Sequence, residues 1–300
     1  MTSMRLRLFG VASGAGLDAL LGEPPSAIHP VVLFGRAMGV VERRTYRDDV
    51  WPGALYAVVG VTLGVISGFL VRSSAVATAI SVAGRSLASA ATEVGTALST
   101  GDVNRARDLL PSLVGRDPRG LDEGEIARAA VESVAENTVD AIVAPMLWAA
   151  VAGAPGALGY RAVNTMDAMV GHRSERYQHY GTASARLDDV ANWVPARVCA
   201  ALVAAVRPRA TRGIVRAVRT QAPLHPSPNS GVAEAAFAAA LGVSLGGRNV
   251  YGSRVEIRPI LGVGRPAQPD DIAAAVRLRR DVTVAAATVL CLAALLKGRR

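Results

Sequence analysis

Between Trp51 and Val71 the chain runs for 21 residues without a charged side chain, WPGALYAVVGVTLGVISGFLV. As a helix, a run of that length reaches across the hydrocarbon core of a bilayer. Arg43, Arg44 and Arg47 precede it and suit a cytoplasmic flank. The competing reading is a buried helix of a water-soluble protein. Ser73–Gly95 is rich in Ala and Ser and either returns through the membrane or lies against it. Ala141–Tyr160 is a second uncharged run, but Gly-Ala-Pro-Gly at 153–156 breaks it midway. Two shorter helices meeting at a bend are therefore expected in place of one straight span. Val198–Val206 is short and follows Arg197. Val282–Leu296 is apolar, ends at Lys297, Arg299 and Arg300, and reads as a terminal span.

Composition supports this outline. Hydrophobic residues make up 51% of 300, Gly adds 30 more, and aromatics are only 4%. Mean hydropathy is +0.30. Small apolar residues suit closely packed helices, including membrane helices. The net charge of +9 fits anionic lipid, anionic substrates or nucleic acid. Aromatic–basic interleaving and zinc-finger spacing are both missing, which argues against nucleic acid. Cys199 and Cys291 lie in apolar helical runs and read as buried thiols, not as a disulfide framework or metal site. Arg5 and Arg7 ahead of LFGVASGAGLDALLG mimic a signal peptide. Asp18 interrupts the run and no A-x-A site follows, so a retained first helix is expected.

The remaining segments, among them Asp102–Leu110 and Asp122–Asn137, are charged helical stretches, and Val255–Pro259 is the one strand candidate. The expected architecture is mainly α: a multi-pass helical membrane protein in which residues 1–300 form a single membrane-embedded domain. Its polar site is built from helices and loops at one membrane face.

Chemistry-bearing residues concentrate between Ala130 and Arg197. Glu132, Glu136 and Asp140 recur at i, i+4 and i+8, one acidic stripe on a helix. The stripe is either a solvated face helped by Arg128 or a Mg²⁺ site, since hard carboxylate oxygens suit that ion. Arg161, Asn164 and Asp167 share one helical face, and Gly171 is expected to end that helix. His172, Arg173, Glu175, Arg176, Tyr177, His179 and Tyr180 follow in a loop rich in donors. It suits phosphate or carboxylate groups, or equally a basic membrane surface. Ser184 is expected to cap ARLDDVANW, with Asp188 and Asn192 on one face and Arg186, Asp189 and Trp193 on another. His225-Pro-Ser-Pro-Asn-Ser-Gly231 precedes an alanine-rich helix expected over Val232–Leu245, ended by Gly246-Gly247. Asn229, Ser230 and the helix N-terminus form either a phosphate cradle or an ordinary Pro-rich turn. Gly22–Arg36 is a similar rigid turn carrying His29 and Arg36.

Taken together these words resemble the CobD/CbiB family of cobalamin biosynthesis, the adenosylcobinamide-phosphate synthases. The matching stretches are LGEPPSAIHPVVLFGR, VGRDP, RAAVESVAENTVDAIVAPMLW, YRAVNTMDAMVG, ERYQHYGTASARLDDVANWVPAR, HPSPNSG, EAA and LGG, in family order from Leu21 to Gly247. Four departures stand out. Glu23 replaces the usual Asp, Pro118 a common Thr, His172 a usual Tyr, and Val232-Ala233 a frequent Trp-Pro. None removes a carboxylate.

The resemblance implies a multi-pass protein of the cell membrane. It would join the propionate carboxylate of adenosylcobyric acid to aminopropanol or its O-phosphate, with ATP and Mg²⁺ as expected cofactors and the corrinoid as substrate. For that reaction Glu132, Glu136 and Asp140 are assigned to the metal. Glu136, Asp167 and Asp189 are the catalytic candidates, the last two as bases. His29, Arg36, Arg116, Asn137, Asn164, His172, Arg173, Arg186, Asn229 and Ser230 are assigned to substrate and phosphate. The site would face the cytoplasm, with membrane lipid and other late cobalamin-pathway enzymes as partners and no nucleic acid. A non-enzymatic corrinoid-binding scaffold is the second reading, supported by a distant similarity to AmpE-type membrane sensors. A transporter is weaker, because no broken-helix pair repeats in two halves.

Overall fold

The computed structural model describes residues 4–25, 27–115, 117–172, 174–251 and 254–297. Twelve α-helices and three strands follow in chain order. They are α1 (Met4–Leu21), α2 (Pro30–Thr45), α3 (Val50–Val71), α4 (Ser74–Ser81), α5 (Gly84–Ser99), α6 (Val103–Leu109), α7 (Glu123–Thr138), α8 (Ala144–Met166), α9 (Thr182–Val206), α10 (Thr211–Thr220), α11 (Ser230–Leu241), β1 (Val243–Tyr251), β2 (Arg254–Leu261), β3 (Arg265–Pro266) and α12 (Pro269–Lys297). Two π turns, Val139–Val143 and Asp167–Gly171, follow α7 and α8. The chain divides into two compact units. The first comprises Met1–Gly84, Asp140–Pro195 and Ala286–Arg300; the second comprises Arg85–Val139 and Ala196–Ala285. Each unit is assembled from segments separated in sequence.

In the first unit α3 lies against α8 along a row of glycines. A Cβ on Gly60 would strike Met166, one on Gly64 would strike Ala162 and Leu158, and one on Gly68 would fall on Pro155. Three glycines at intervals of four let two backbones approach closely, the packing mode of helices in lipid. Val11, Ala15, Ala77, Ile142, Met146 and Ala157 form one core. Met38, Tyr56, Met166, Val170 and Tyr180 form a second. Asp18, the charge that interrupts the first apolar run, is buried and accepts the Gly84 amide at 3.0 Å. The expected break in Ala141–Tyr160 is present. Gly153 takes φ 68°, ψ −150° within α8 two residues before Pro155, a conformation essentially reserved for glycine.

In the second unit α11 is buried from Gly231 to Ala238 and packs on α7, α10 and β1. The sheet has order β2-β1-β3, with β2 antiparallel and β3 parallel to β1. The strand expected at Val255–Pro259 lies within β2, but the first three residues of β1, Val243–Leu245, were expected to continue the alanine-rich helix. The alanine-rich helix stops at Leu241, where Gly242 adopts the left-handed conformation at φ 70°. Val243–Leu245 then pairs in the sheet, and Gly246 and Gly247 sit inside β1 at its bulge.

Among the described residues three helical stretches are long and apolar enough to cross a membrane: Val50–Val71, Glu123–Gly171 and Thr182–Val206. Val198–Val206 is therefore the end of a longer helix. The expected terminal span is not among the three. Its apolar stretch is confined between Asp281 and Lys297 and is short for a bilayer. Ser184 is not the cap of α9: the helix begins two residues earlier, and Ser184 is buried within it.

Candidate functional site

The first unit gathers its polar groups on α8 and α9. Asp188 is locked by two amides. Asn192 Nδ2 donates to it at 3.0 Å, and Asn164 Nδ2 lies 3.4 Å from its other oxygen. Tyr160 donates its hydroxyl to Asn192 Oδ1 at 2.8 Å and lies 3.2 Å from the Asp140 carbonyl, while Arg161 donates to Asn164 at 3.2 Å. Asp167 sits in the π turn after α8. A Cβ on Gly171 would fall on the Asp167 carboxylate, so the glycine makes room for that side chain. The result is a continuous polar chain, Arg161–Asn164–Asp188–Asn192–Tyr160, with Asp167 and Asp189 as the carboxylates that act on Asp188. It can hold a substrate amine or hydroxyl and move a proton.

The donor-rich loop after Gly171 is committed to α2. Arg176 and Tyr177 both donate to Glu42 Oε1, at 3.0 and 2.9 Å, and Arg176 stacks 4.1 Å over the Tyr46 ring. His179 Nδ1 lies 2.9 Å from Asp48. Burial, and then the bond to Glu42, push the Tyr177 phenol above its usual value. His29 caps its own helix, accepting from Val31 N at 3.1 Å, with Glu23 at 3.8 Å. Arg36, His172 and Arg186 are exposed. Arg116 and Arg173 lie outside the described residues.

In the second unit α7 presents Glu132 and Glu136 to the start of α11 and to β1. Glu132, 2% exposed, accepts from Arg128 at 3.2 Å and from the Gly246 amide at 2.8 Å. Arg128 also donates to the Gly246 and Arg248 carbonyls and to Asn249. Glu136 accepts from the Ser230 hydroxyl at 2.7 Å. Arg197 donates to Asn229 Oδ1 at 3.1 Å. The Ser227 hydroxyl takes the Asn229 and Ser230 amides, so the turn supplies part of its own helix cap. A Cβ on Gly231 would collide with His225, which explains glycine at the end of that motif. His225 Nε2 lies 3.8 Å from Glu234, which is fully buried and has Arg258 at 3.9 Å. Burial pushes the His225 pKa down, helped by Arg258 and opposed by a backbone bond to Ser227 and by Glu136 and Glu132. Asn137 bonds back to Ser133 of its own helix.

The chemistry available here is anion and cation handling by a carboxylate, a hydroxyl and amides. Among the described residues no three His, Cys, Asp or Glu side chains are grouped to hold a metal ion. Asp140 belongs to the first unit and to a π turn, whose wider spacing takes it out of the i, i+4 register of the stripe.

The CobD/Cbib protein family model matches residues 11–279. The chain belongs to the CobD/CbiB family. It is 46% identical to the cobalamin biosynthesis protein CobD of Mycobacterium tuberculosis (strain ATCC 25618 / H37Rv), over 96% of each chain. It is 44% identical to that of Chromobacterium violaceum over 87% of this chain and 88% of the relative. It is 43% identical to that of Geobacter metallireducens over 86% of each. No solved structure matches it.

In this CobD/CbiB chain the words that carried the resemblance split between the units. Asn164, Asp167 and Asp189 fall in the first, with Asp188, Asn192 and Tyr160 as the partners sequence reasoning had not assigned to a site. Glu136, Asn229 and Ser230 fall in the second, where Arg197, His225, Glu234 and Arg258 were missed. The shared face of Asp188 and Asn192 was the one available signal for the first group. His225 stood inside a motif read only for its turn.

Proposed function

We propose that the protein is an amide ligase of cobalamin biosynthesis, held in the cell membrane by several helices. It joins adenosylcobyric acid to aminopropanol or its O-phosphate. The observation that carries this reading is the family match across residues 11–279, with relatives named cobalamin biosynthesis protein CobD along nearly the whole chain.

A carboxylate is a poor acyl donor because oxide is a poor leaving group. Transfer of the terminal phosphoryl group of ATP to the propionate gives an acyl phosphate and ADP. The amine then attacks the carbonyl carbon, the C–O bond to phosphate breaks, phosphate departs with the electron pair, and nitrogen gives up a proton. Asp167 and Asp189 take the base role, with Asp188 as the positioning residue held by Asn164 and Asn192. In the second unit Ser230 and Asn229 are uncharged phosphate donors; in the first, Arg36 and Arg186 keep exposed guanidinium groups that suit anionic oxygens. Glu132 does not fit a magnesium ligand, because Arg128 and the Gly246 amide already satisfy it. Glu136, with the Ser230 hydroxyl beside it, offers the hard oxygen donors that Mg²⁺ takes alongside phosphates and water. When bound, the ion would neutralise charge on the phosphate oxygens. ATP supply puts the reaction on the cytoplasmic side.

The test is incubation of the full-length, detergent-purified protein with adenosylcobyric acid, aminopropanol phosphate and Mg-ATP, following the corrinoid by mass spectrometry. The expected product is heavier by the amine minus water, and only when ATP is present. An unchanged corrinoid that nonetheless stays bound would move the reading to a scaffold or to another amine.

A further inference from the structure

The stretch that follows the third candidate span carries charge of one sign. From Val190 to Ala233 there is no carboxylate, but there are six arginines: Arg197, Arg207, Arg209, Arg212, Arg216 and Arg219. The α9 helix stops at Val206. Arg207 leaves helical geometry at φ −129°, ψ 64°, and Pro208 opens a 3-10 turn that leads into α10. Thr211 donates its hydroxyl to the Ala204 carbonyl at 3.1 Å, which ties the start of α10 to the last turn of α9. Arg207 is neutralised by Asp281 at 2.8 Å. Arg209, Arg212, Arg216 and Arg219 are exposed and have no carboxylate partner among the described residues.

On α10 Arg212, Arg216 and Arg219 stand at i, i+4 and i+7, a single stripe. Ile214 and Ala217 lie on the other side, buried, where α10 packs on α11. An amphipathic helix at a membrane surface normally inserts its apolar face. Here that face is used within the protein, so α10 meets its surroundings mainly through charge, with Val215 the one large apolar side chain exposed on it.

From this geometry we infer that the arginine stripe of α10, together with Arg209, rests on anionic phospholipid headgroups where α9 emerges, at the cytoplasmic leaflet. Clusters of basic side chains just beyond a membrane helix have that preference, and basic flanks mark the cytoplasmic side. The inference rests on α9 crossing the membrane and is independent of the ligase reading.

Delipidated full-length protein in detergent is titrated with fluorescent phosphatidylglycerol or phosphatidylcholine in mixed micelles, at low and at high salt. Each arginine at an anionic surface contributes about fivefold in affinity. R212Q/R216Q/R219Q is therefore expected to lower the phosphatidylglycerol preference by on the order of 100-fold. R212K/R216K/R219K should keep most of it, because a headgroup surface reads charge. High salt should collapse the preference of the unaltered protein, a readout that does not depend on any variant folding. Equal binding of the two lipids at low salt, or an unchanged preference in the glutamine variant, overturns the inference. So does displacement of the lipid by pyrophosphate alone at matched charge concentration, which would make the stripe a site for soluble anions.

Discussion

Glu132 and Glu136 stand one turn apart on α7 and meet opposite surroundings. Glu132 is a buried half of an ion pair that also fastens α7 to β1 through the Gly246 amide. Glu136 is half-buried beside a hydroxyl. Removing one member of a buried pair strands the other, at a cost of about 3–5 kcal/mol. Glu132→Ala should therefore lower the melting temperature sharply in detergent. Glu136→Gln keeps an acceptor for Ser230 and should leave the melt within about 0.5 kcal/mol of the parent. Its loss of charge should cut amide formation by roughly 100-fold or more. Full turnover in a normally folded Glu136→Gln protein would remove that residue from the scheme. The i, i+4 spacing made the stripe legible, and Arg128 one turn upstream was a visible partner. The involvement of Gly246, 114 positions away, was not visible, because nothing local encodes which distant backbone amide a carboxylate will find. The same limit hid the Asn164–Asp188–Asn192–Tyr160 chain, whose members come from two helices.

At the scale of elements, the α3–α8 contact depends on what is missing from its side chains. A Cβ on Gly64 would approach the Ala162 Cβ to 2.6 Å and the Leu158 carbonyl to 2.8 Å. Gly64→Leu should cost about 1–3 kcal/mol by overpacking. Gly153→Ala should cost a similar amount, about 1–3 kcal/mol, for a different reason: its backbone conformation excludes a Cβ. Thermal unfolding of both variants beside Gly16→Ala, where the added Cβ meets nothing within 4 Å, would separate these effects from a generic penalty. Unshifted melts would mean that α3 and α8 slide apart freely and that the bend is not fixed by Gly153. The bend was legible because Gly and Pro punctuate helices by covalent geometry. The α11–β1 boundary was not. Val232–Leu245 is apolar apart from Glu234 and Ser244, and which of three glycines stops the helix is decided by sheet pairing with Arg254–Leu261.

For the molecule as a whole, the outward face of α3 decides how the first unit meets solvent. Trp51, Leu55, Val58, Ile66, Phe69 and Leu70 are exposed along it. A continuous apolar strip of this kind is a liability in water and the ordinary surface of a helix in lipid. The two ends of α3 differ. Arg43, Arg44 and Arg47 stand before it, and its far end closes at Arg72 in a left-handed turn that leads directly into α4. If α3 crosses the bilayer with its arginine-rich end inside, Asp48 and Ser73 lie on opposite faces of the membrane. Cys199 and Cys291, the free cysteines, are first replaced by alanine, and cysteine is then placed at one of the two positions. An impermeant maleimide should label Asp48→Cys only in inside-out vesicles and Ser73→Cys only in right-side-out ones. Labelling of both from one side would make α3 a helix lying along or within the protein. The exposed strip would then need a protein partner, since lipid would no longer cover it.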